Sequence, residues 1–488
     1  LISQSDLDAY RALRDIQPIA DLLPALVLKV EGRSAQVFVK DQGRIELDWD
    51  ALAWARRYLG ENSLGRKPQN ASEVLRPGDL IRVRRQAPDQ DQDQAKPQTK
   101  GQPRWRLAQL PQLASALVAL DSRDGAIRAL VGGYSFYQSK FNRVTQAKRQ
   151  PGSGFKSVIY SAALEAGFTA ATLINASPVM FDPGLGRTSQ WRPENYTGKF
   201  YGPTRLREAL THSRNLVSIR LLQEMGLEHT LEHAARFGFD PKSLPRNFTL
   251  ALGTGESTPL EMARSYAVLA NGGFLVEPYF IQRIEEQDKG LIFEADPLIA
   301  CPECEDQANS GLVLAGKPAP RTLSAQNAFL MNSMLRDVIR SGTATKAKSL
   351  GREDLAGKTG TTNQQRDGWF NGFHPQLTAV VWAGFDDMRP MGNKETGGNV
   401  ALPAWIEFMA EALKTLPEKP LSLPAGMYRL KIDPATGAPA EPDQRKVIEE
   451  YFRVGVPQRE TDSTQGGEDP QLLEPVIGPT ETVSEELF

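Results

Sequence analysis

Short β-strand patterns stand at both ends of a long, mainly helical region of this 488-residue chain. Residues 116–120 and 126–131 flank an Asp-Gly turn, which predicts a hairpin. Strand patterns return much later, at residues 357–362, 369–373 and 377–385. Strands so far apart, with helices between them, predict one antiparallel sheet with helices packed on it, which is an α+β fold.

The segments around this region differ from it in composition. Residues 21–86 contain short, β-branched strand patterns separated by turn residues, which predicts a small all-β domain after a helical lead-in at residues 1–20. Residues 87–104 are polar and of low complexity, and residues 457–488 are rich in Glu, Asp, Gly and Pro. We therefore predict a flexible linker, a main domain at residues 105–456 and a disordered acidic tail.

Net charge and hydropathy indicate whether nucleic acid or a lipid bilayer is a partner of this chain. A net charge of −2 gives no electrostatic reason to expect nucleic acid. No apolar run approaches the roughly 20 residues needed to cross a bilayer. The chain begins at Leu1, without a basic-then-apolar signal segment. We expect a processed or truncated piece, so that a membrane anchor would lie outside this sequence.

Ser153 and Lys156 form the first pair of residues with catalytic potential. Pro151 and Gly152 precede an apolar helical pattern, which places Ser153 at a helix N-terminus and Lys156 about one turn further on. A serine hydroxyl becomes a strong nucleophile only when a base accepts its proton. A lysine can be that base if burial or a neighbouring cation lowers its pKa from about 10.4. Unpaired N–H groups at the helix terminus suit developing negative charge.

Ser213 and Asn215 form the second pair, at the predicted junction of two amphipathic helices. Because they are two residues apart, they can direct a hydroxyl and an amide into one cleft. Alone, the pair does not distinguish a functional role from a structural one, since Ser and Asn are ordinary residues at helix junctions.

The third group, Lys358, Thr359, Gly360 and Thr361, lies on a predicted strand. Gly360 has no side chain, so a substrate backbone could approach and pair along the strand edge. The hydroxyls of Thr359 and Thr361 suit a substrate carboxylate, and Lys358 supplies positive charge. The segment does not fit a phosphate-binding P-loop, in which a longer glycine-bounded loop precedes the lysine and a helix follows it.

The three motifs together, Ser-x-x-Lys, Ser-x-Asn and Lys-Thr-Gly, resemble those of the penicillin-recognising serine acyl-enzymes. Further segments resemble the transpeptidase domain of bifunctional class A penicillin-binding proteins over roughly residues 105–455, and residues 21–86 are similar, more loosely, to the OB-like domain of their 1A type. The resemblance implies a penicillin-recognising (serine β-lactamase/transpeptidase-like) fold. No counterpart of the class A glycosyltransferase half is found in this sequence. The segments that carry the resemblance are residues 149–156, 258–263, 367–372 and 380–387.

The resemblance implies a two-step acyl transfer that cross-links peptidoglycan stem peptides. Lys156 would deprotonate Ser153, which attacks the carbonyl between the two terminal D-alanines. The backbone N–H groups of Ser153 and Thr361 would form the oxyanion hole. Ser213, helped by Lys358, would relay the proton to the departing D-alanine, although the identity of the base is debated for such sites.

Substrate binding is implied in the same way. Asn215 would position the substrate amide, and Thr359, Gly360 and Thr361 would bind its carboxylate end. An amine of a neighbouring stem peptide would accept the acyl group, and β-lactam antibiotics would leave a long-lived acyl-Ser153. No cofactor is implied. The reaction would take place at the periplasmic face of the bacterial inner membrane. The OB-like domain could dock a regulatory protein or, as such domains can, bind nucleic acid or oligosaccharide, although its charge is not markedly basic.

The same motifs are compatible with other functions, and two further groups of residues could form sites. In a D-alanyl-D-alanine carboxypeptidase or a β-lactamase, water would replace the acceptor amine, and a non-catalytic β-lactam sensor would acylate without turnover. His229 and His233 match a zinc-peptidase spacing, but we find no obvious third ligand and predict an ordinary solvated helix instead. Cys301 and Cys304 supply only two ligands, so we predict a local disulfide or two free thiols and no metal site.

Overall fold

The computed structural model describes residues 4–86, 104–178, 192–306 and 317–456. Within these ranges lie two five-stranded sheets, each with its own apolar core. The predicted acidic tail, and all but the last residue of the predicted linker, lie outside the described residues.

The first sheet forms the small N-terminal β-domain. Val27, Val37 and Val83 are buried in its core, and the helix Gln4–Leu13 packs beside it through Leu13. Neighbouring strands of this sheet are antiparallel. In space they follow one another as Gly43–Leu47, Ser34–Val39, Leu23–Glu31, Leu80–Arg85 and Trp105–Ala108.

The last strand of this sheet bears on the domain boundary. We predicted that the main domain starts at residue 105, but Trp105–Ala108 pairs with Leu80–Arg85 and buries Leu107 in the N-terminal core. Pairing with an edge strand satisfies the backbone of this segment, which its sequence alone does not assign to either sheet. A boundary after Ala108 fits the pairing better, and the domain limits stay a prediction.

The main sheet joins strands from distant parts of the chain, as the sequence predicted. Strand Leu377–Gly384 joins the C-terminal strands of the sheet to the two earlier strands, because it pairs along its whole length with Ala114–Asp121. The α+β arrangement with one antiparallel sheet is therefore confirmed. The strands follow one another in space as Ala356–Thr361, Asp367–His374, Leu377–Gly384, Ala114–Asp121 and Ile127–Val131.

Helices cover both faces of the main sheet. Trp405 packs against Phe370, whereas Tyr266 packs against Phe373, which lies on the opposite face because side chains alternate along a strand. Every residue of Asp367–His374 is consequently buried. The burial of both faces explains why this strand shows no alternation of polar and apolar residues.

Most of the helices lie between the two groups of strands. Pro259–Ala270 begins with the predicted capping box of Thr258 and Glu261, and Ala325–Arg340 begins after the N-cap Ser324. Among the described helices, none is both long enough and apolar enough to cross a bilayer. The remaining α-helices are Trp49–Leu52, Arg143–Gln146, Lys156–Glu165, Leu206–Thr211, Asn215–Met225, Leu227–Ala235, Pro302–Asp306, Gly397–Val400 and Leu402–Ala412.

Short two-stranded ladders decorate both domains. Cys301 and Cys304 form a disulfide at the start of one short helix, so of the two predicted states the disulfide is the one observed. The last ladder contains the buried Glu450, in strand Ile448–Arg453. Its carboxylate lies 2.5 Å from the Arg207 guanidinium and so attaches this ladder to the core. The ladders pair Tyr58–Gly60 with Ser63–Leu64, Leu173–Asn175 with Pro203–Arg205, Arg283–Glu286 with Gly290–Glu294, Leu298–Ile299 with Lys317–Pro318, and Met427–Ile432 with Ile448–Arg453.

Candidate active site

Ser153 lies in the 3₁₀ turn Gly152–Phe155, immediately before the helix Lys156–Glu165. Gly152 has φ +54°, and a Cβ atom there would lie 2.7 Å from the Thr361 carbonyl oxygen. Glycine therefore allows both the left-handed backbone and the close approach of this turn to the main sheet. The Ser153 side chain lines a cleft of about 870 Å³. Among the described residues its hydroxyl has no hydrogen-bond partner.

Lys156 is fully buried behind this cleft, with three oxygen atoms around its amine. The amine lies 2.8 Å from the Ser213 carbonyl oxygen, 2.7 Å from Asn215 Oδ1 and 3.3 Å from Ser213 Oγ. Two of these three atoms can only accept hydrogen bonds, whereas the hydroxyl can also donate one. A neutral amine could therefore use its two hydrogens on the carbonyl oxygens and keep its lone pair for a hydroxyl.

The electrostatic surroundings favour that neutral amine. Burial lowers the pKa of Lys156 well below its ordinary value, and the nearby charge of Lys358 lowers it further. Burial also lowers the pKa of Lys358, to about 7. Both shifts have the same physical cause, since a low-dielectric interior penalises a charged ammonium group. The Lys358 amine forms a hydrogen bond of 3.2 Å with the Thr359 carbonyl oxygen.

Ser213 and Asn215 lie at the junction of two helices, where the sequence placed them. Ser213 has φ +58°, in the left-handed region, between the end of Leu206–Thr211 and the start of Asn215–Met225. Both side chains line the cleft. The Asn215 amide nitrogen donates a hydrogen bond of 2.8 Å to the Glu194 carbonyl oxygen, so one of its two N–H groups is already used.

The strand Ala356–Thr361 is an edge strand of the main sheet and forms another wall of the cleft. Thr359 Oγ1 lies 2.6 Å from Thr343 Oγ1, and Thr361 Oγ1 accepts a hydrogen bond of 3.0 Å from the Gly397 amide. Three threonine hydroxyls thus converge where the sequence predicted two. Thr343 follows the long helix Ala325–Arg340 by three residues, and no local pattern relates it to the strand.

Gly360 differs from its predicted role. It is buried and does not line the cleft. A Cβ atom at this position would collide with the Pro151 carbonyl oxygen and would lie 2.9 Å from Trp369 Cβ. The missing side chain therefore makes room for the turn that carries Ser153, and not for a substrate backbone approaching from the cleft.

A buried ion pair, to which the sequence analysis gave no role, supports the turn from behind. Arg149 Nε lies 2.6 Å from Asp367 Oδ1, and the two side chains are only 5% and 8% exposed. The same carboxylate accepts hydrogen bonds from the Trp382 indole, at 2.9 Å, and the Thr362 hydroxyl, at 3.2 Å. Both charged residues lie in segments that resemble the family, and this resemblance was the signal in the sequence that they have a role. Their pairing across 218 residues was not readable from the sequence.

The two histidines with the zinc-peptidase spacing occupy one helix. Their ring centroids are 6.2 Å apart, and His233 Nε2 lies 2.9 Å from the hydroxyl of buried Ser161. Burial lowers the pKa of His233 to about 3. His233 therefore belongs to the buried polar core and differs from the solvated residue that we predicted.

Family models match both domains. The model described as the penicillin binding protein transpeptidase domain matches residues 115–404, and the model described as the penicillin-binding protein OB-like domain matches residues 2–113. Both the transpeptidase-like fold and the OB-like assignment of the N-terminal domain therefore agree with the sequence prediction.

Two proteins of known name align with most of this chain. The chain is 44% identical over 467 residues to penicillin-binding protein 1A of Pseudomonas aeruginosa, and the match covers 89% of this chain and 55% of that relative. It is 40% identical over 482 residues to penicillin-binding protein 1A of Vibrio cholerae, with coverages of 93% and 57%. This chain thus spans little more than half the length of these two relatives.

A solved structure extends the similarity to three dimensions. The crystal structure of penicillin-binding protein 1A from Haemophilus influenzae matches with a TM-score of 0.81 and 34% sequence identity. The match covers 94% of this chain and 66% of that one, so both domains are included.

Proposed function

This chain belongs to the penicillin-binding proteins, and from that premise we propose that its cleft is the active site of a serine D-Ala-D-Ala transpeptidase that cross-links peptidoglycan. The observation that carries the proposal is the buried Lys156 amine, whose pKa burial lowers, hydrogen-bonded to Ser213 and Asn215 beside the turn that holds Ser153. A cleft with an available hydroxyl, an amine of lowered pKa and several hydroxyls for a carboxylate suits acyl transfer from a peptide with a free C-terminus.

In the first step Ser153 Oγ forms a bond to the carbonyl carbon between the two D-alanines. The neutral amine of Lys156 accepts the hydroxyl proton, directly or through the Ser213 hydroxyl, which lies 3.3 Å from that amine. The backbone N–H groups of Ser153 and Thr361 hold the oxyanion, and each such donor contributes roughly 3 kcal/mol in comparable enzymes. The peptide C–N bond then breaks, and the proton passes to the nitrogen of the departing D-alanine.

In the second step the amine of another stem peptide attacks the acyl group. A new C–N bond forms, the ester bond to Ser153 breaks, and the proton lost by the amine returns to Ser153 Oγ. Water in place of the amine would give the hydrolytic reaction of a carboxypeptidase. The same acyl-enzyme thus serves both reactions, and the acceptor alone decides between them.

The substrate's terminal carboxylate is bound by hydroxyl groups on the edge strand. Thr359 and Thr361 supply two of them, and Thr343 adds a third through its contact with Thr359. Lys358 lies on the same strand and supplies positive charge when protonated. Asn215 has one N–H group left to donate to the substrate amide, because the other is bonded to the Glu194 carbonyl oxygen.

The location and the partners follow from the substrate. Peptidoglycan is assembled outside the cytoplasm, so we place the cleft at the periplasmic face of the bacterial inner membrane. Stem peptides are the donor and acceptor, β-lactams are covalent inhibitors, and a regulatory protein is a candidate partner for the OB-like domain.

The proposal is tested by intact-protein mass spectrometry after addition of benzylpenicillin. We expect a stable one-to-one adduct on the parent chain and none on Ser153→Ala. Ser349→Ala, which changes an exposed serine within the 3₁₀ helix Thr345–Leu350, is the matched control and should form the adduct normally.

Two results would count against the proposal. An unmodified parent would refute the acyl-enzyme, and an adduct that disappears within minutes would indicate a β-lactamase instead. Release of D-alanine from a pentapeptide, with and without an added acceptor amine, then separates the transpeptidase from a sensor that acylates without turnover.

A further inference from the structure

The OB-like domain touches the main domain through the tip of an exposed hairpin. This hairpin pairs Tyr58–Gly60 with Ser63–Leu64, and its turn consists of Glu61 and Asn62. Asn62 Oδ1 accepts a hydrogen bond of 2.5 Å from the Asn393 amide. The space beside Gly392 is filled by the same turn, since a Cβ atom there would lie 2.9 Å from the Glu61 carbonyl oxygen.

The segment of the main domain that receives this contact is the loop of residues 385–396. Met388, Gly392 and Lys394 have φ values of +59°, +123° and +70°. Two of these are not glycine, and a left-handed backbone costs free energy for a residue with a side chain, so hydrogen bonds are needed to hold this loop. The Lys394 carbonyl oxygen accepts hydrogen bonds from the Thr396 amide, at 2.8 Å, and from Asn399 Nδ2, at 2.7 Å.

The far end of this loop borders the active-site cleft. Thr396 and Gly398 line the cleft, and the Gly397 amide between them donates a hydrogen bond of 3.0 Å to Thr361 Oγ1. A hydroxyl that accepts from a backbone amide cannot direct its own hydrogen toward that amide. The single hydrogen of Thr361 Oγ1 is therefore left to donate elsewhere, and an anionic group in the cleft is the strongest available acceptor.

We propose that Asn62 of the OB-like domain is a positioning residue for recognition of the substrate carboxylate. Its bond to Asn393 holds the loop of residues 385–396, the loop holds the Gly397 amide, and that amide orients the Thr361 hydroxyl as a donor. The inference rests on the proposed function of the cleft. It adds that the N-terminal domain completes the carboxylate site without touching the substrate.

The structure also provides a contact between the domains that should not have this effect. The Tyr134 hydroxyl of the main domain donates a hydrogen bond of 2.8 Å to Asp21 Oδ1, at the start of the OB-like domain. This bond involves no residue of the loop or the cleft. Tyr134→Phe removes one bond between the domains, as Asn62→Ala does, and so serves as a matched control for domain attachment.

The experiment measures second-order rates of acylation by benzylpenicillin and by its methyl ester, which has no carboxylate. Asn62→Ala should lower the rate with the acid about three- to tenfold, the range expected for one hydrogen bond, and should leave the rate with the ester unchanged. Asn62→Asp keeps the accepting oxygen and should behave like the parent chain. Tyr134→Phe should alter neither rate.

The outcomes separate this inference from the proposed function. An unchanged rate with the acid in Asn62→Ala overturns the inference, and so does an equal fall with acid and ester, because that pattern would indicate general damage. Loss of the acid preference in Tyr134→Phe as well would assign the effect to domain attachment and overturn it too. A parent chain that forms no adduct refutes the proposed function, and this inference with it.

Discussion

Replacement of Asp367 by Asn would remove the negative charge that compensates Arg149 in the interior. Arg149 is 5% exposed, and its second terminal nitrogen, Nη2, has no hydrogen-bond partner within the part of the chain that the structure describes. Asparagine has nearly the size of aspartate and keeps one oxygen, which can still accept from the Trp382 indole in the Oδ1 position, while its NH2 group replaces the Oδ2 that accepts from Thr362. The substitution therefore changes charge more than shape, and it leaves a guanidinium in a low-dielectric environment without its partner.

The expected loss of stability is large for a single substitution. Removal of one partner of a buried ion pair costs about 3–5 kcal/mol in other proteins, and we expect Asp367→Asn to lower the free energy of unfolding of the main domain by that amount. Asp387 and Arg389 form an exposed pair with side chains 60% and 41% exposed. Asp387→Asn, the matched control, should cost at most about 1 kcal/mol.

Urea unfolding followed by tryptophan fluorescence suits this measurement. Trp382 is uncharged and lies beside the substituted residue. Its indole donates a hydrogen bond to Asp367, and its ring packs against that of Trp369, with ring centroids 6.4 Å apart. The double variant Arg149→Met with Asp367→Asn removes both charges, so it should be more stable than Asp367→Asn alone. Acylation by benzylpenicillin should also slow in Asp367→Asn, because Arg149 lies four residues before Ser153.

A loss of stability no larger than that of Asp387→Asn would show that the charge of Asp367 does not compensate Arg149. A double variant less stable than Asp367→Asn would show that the cost arises from lost packing and not from an uncompensated charge.

Other predictions concern the lysines, the third threonine and the C-terminal ladder. Burial lowers the pKa of Lys358 to about 7 from 10.5, so the unfolded chain binds more protons than the folded chain between these two pH values. The free energy of unfolding should therefore rise with pH across that interval, and Lys358→Met should reduce this slope. Loss of the Lys358 charge above pH 7 should also slow acylation, and a pH–rate profile of Lys358→Arg, which stays charged, should lack this alkaline decline. Acylation by benzylpenicillin should fall about three- to tenfold in Thr343→Val but not in Thr343→Ser, and an equal fall in both would contradict a role for the hydroxyl. Glu450→Gln removes one carboxylate from Arg207 and leaves its ion pair with Asp337, so limited proteolysis should cut the last ladder faster than in the parent, and unchanged cleavage would argue against this attachment.

Local chemistry explains what could be predicted from the sequence. The capping box of Thr258 and Glu261 involves residues three apart, and the positions of Ser153 and Ser213 depend on turns and helix ends nearby. The strand patterns revealed the elements of the main sheet. Residues within one helical turn or one strand interact through the backbone geometry alone, so their arrangement needs no knowledge of the rest of the fold.

Long-range packing decided the remaining features. The pKa of Lys156 depends on burial and on Lys358, which lies 202 positions later in the printed sequence. The reason for glycine at position 360 is the turn that approaches from residue 151, and the third threonine of the cleft comes from the end of a distant helix. Strand Trp105–Ala108 belongs to the first sheet because it pairs with the edge of strand Leu80–Arg85. Such contacts form only when the chain has folded, and a sequence read in windows contains no distances between its distant parts.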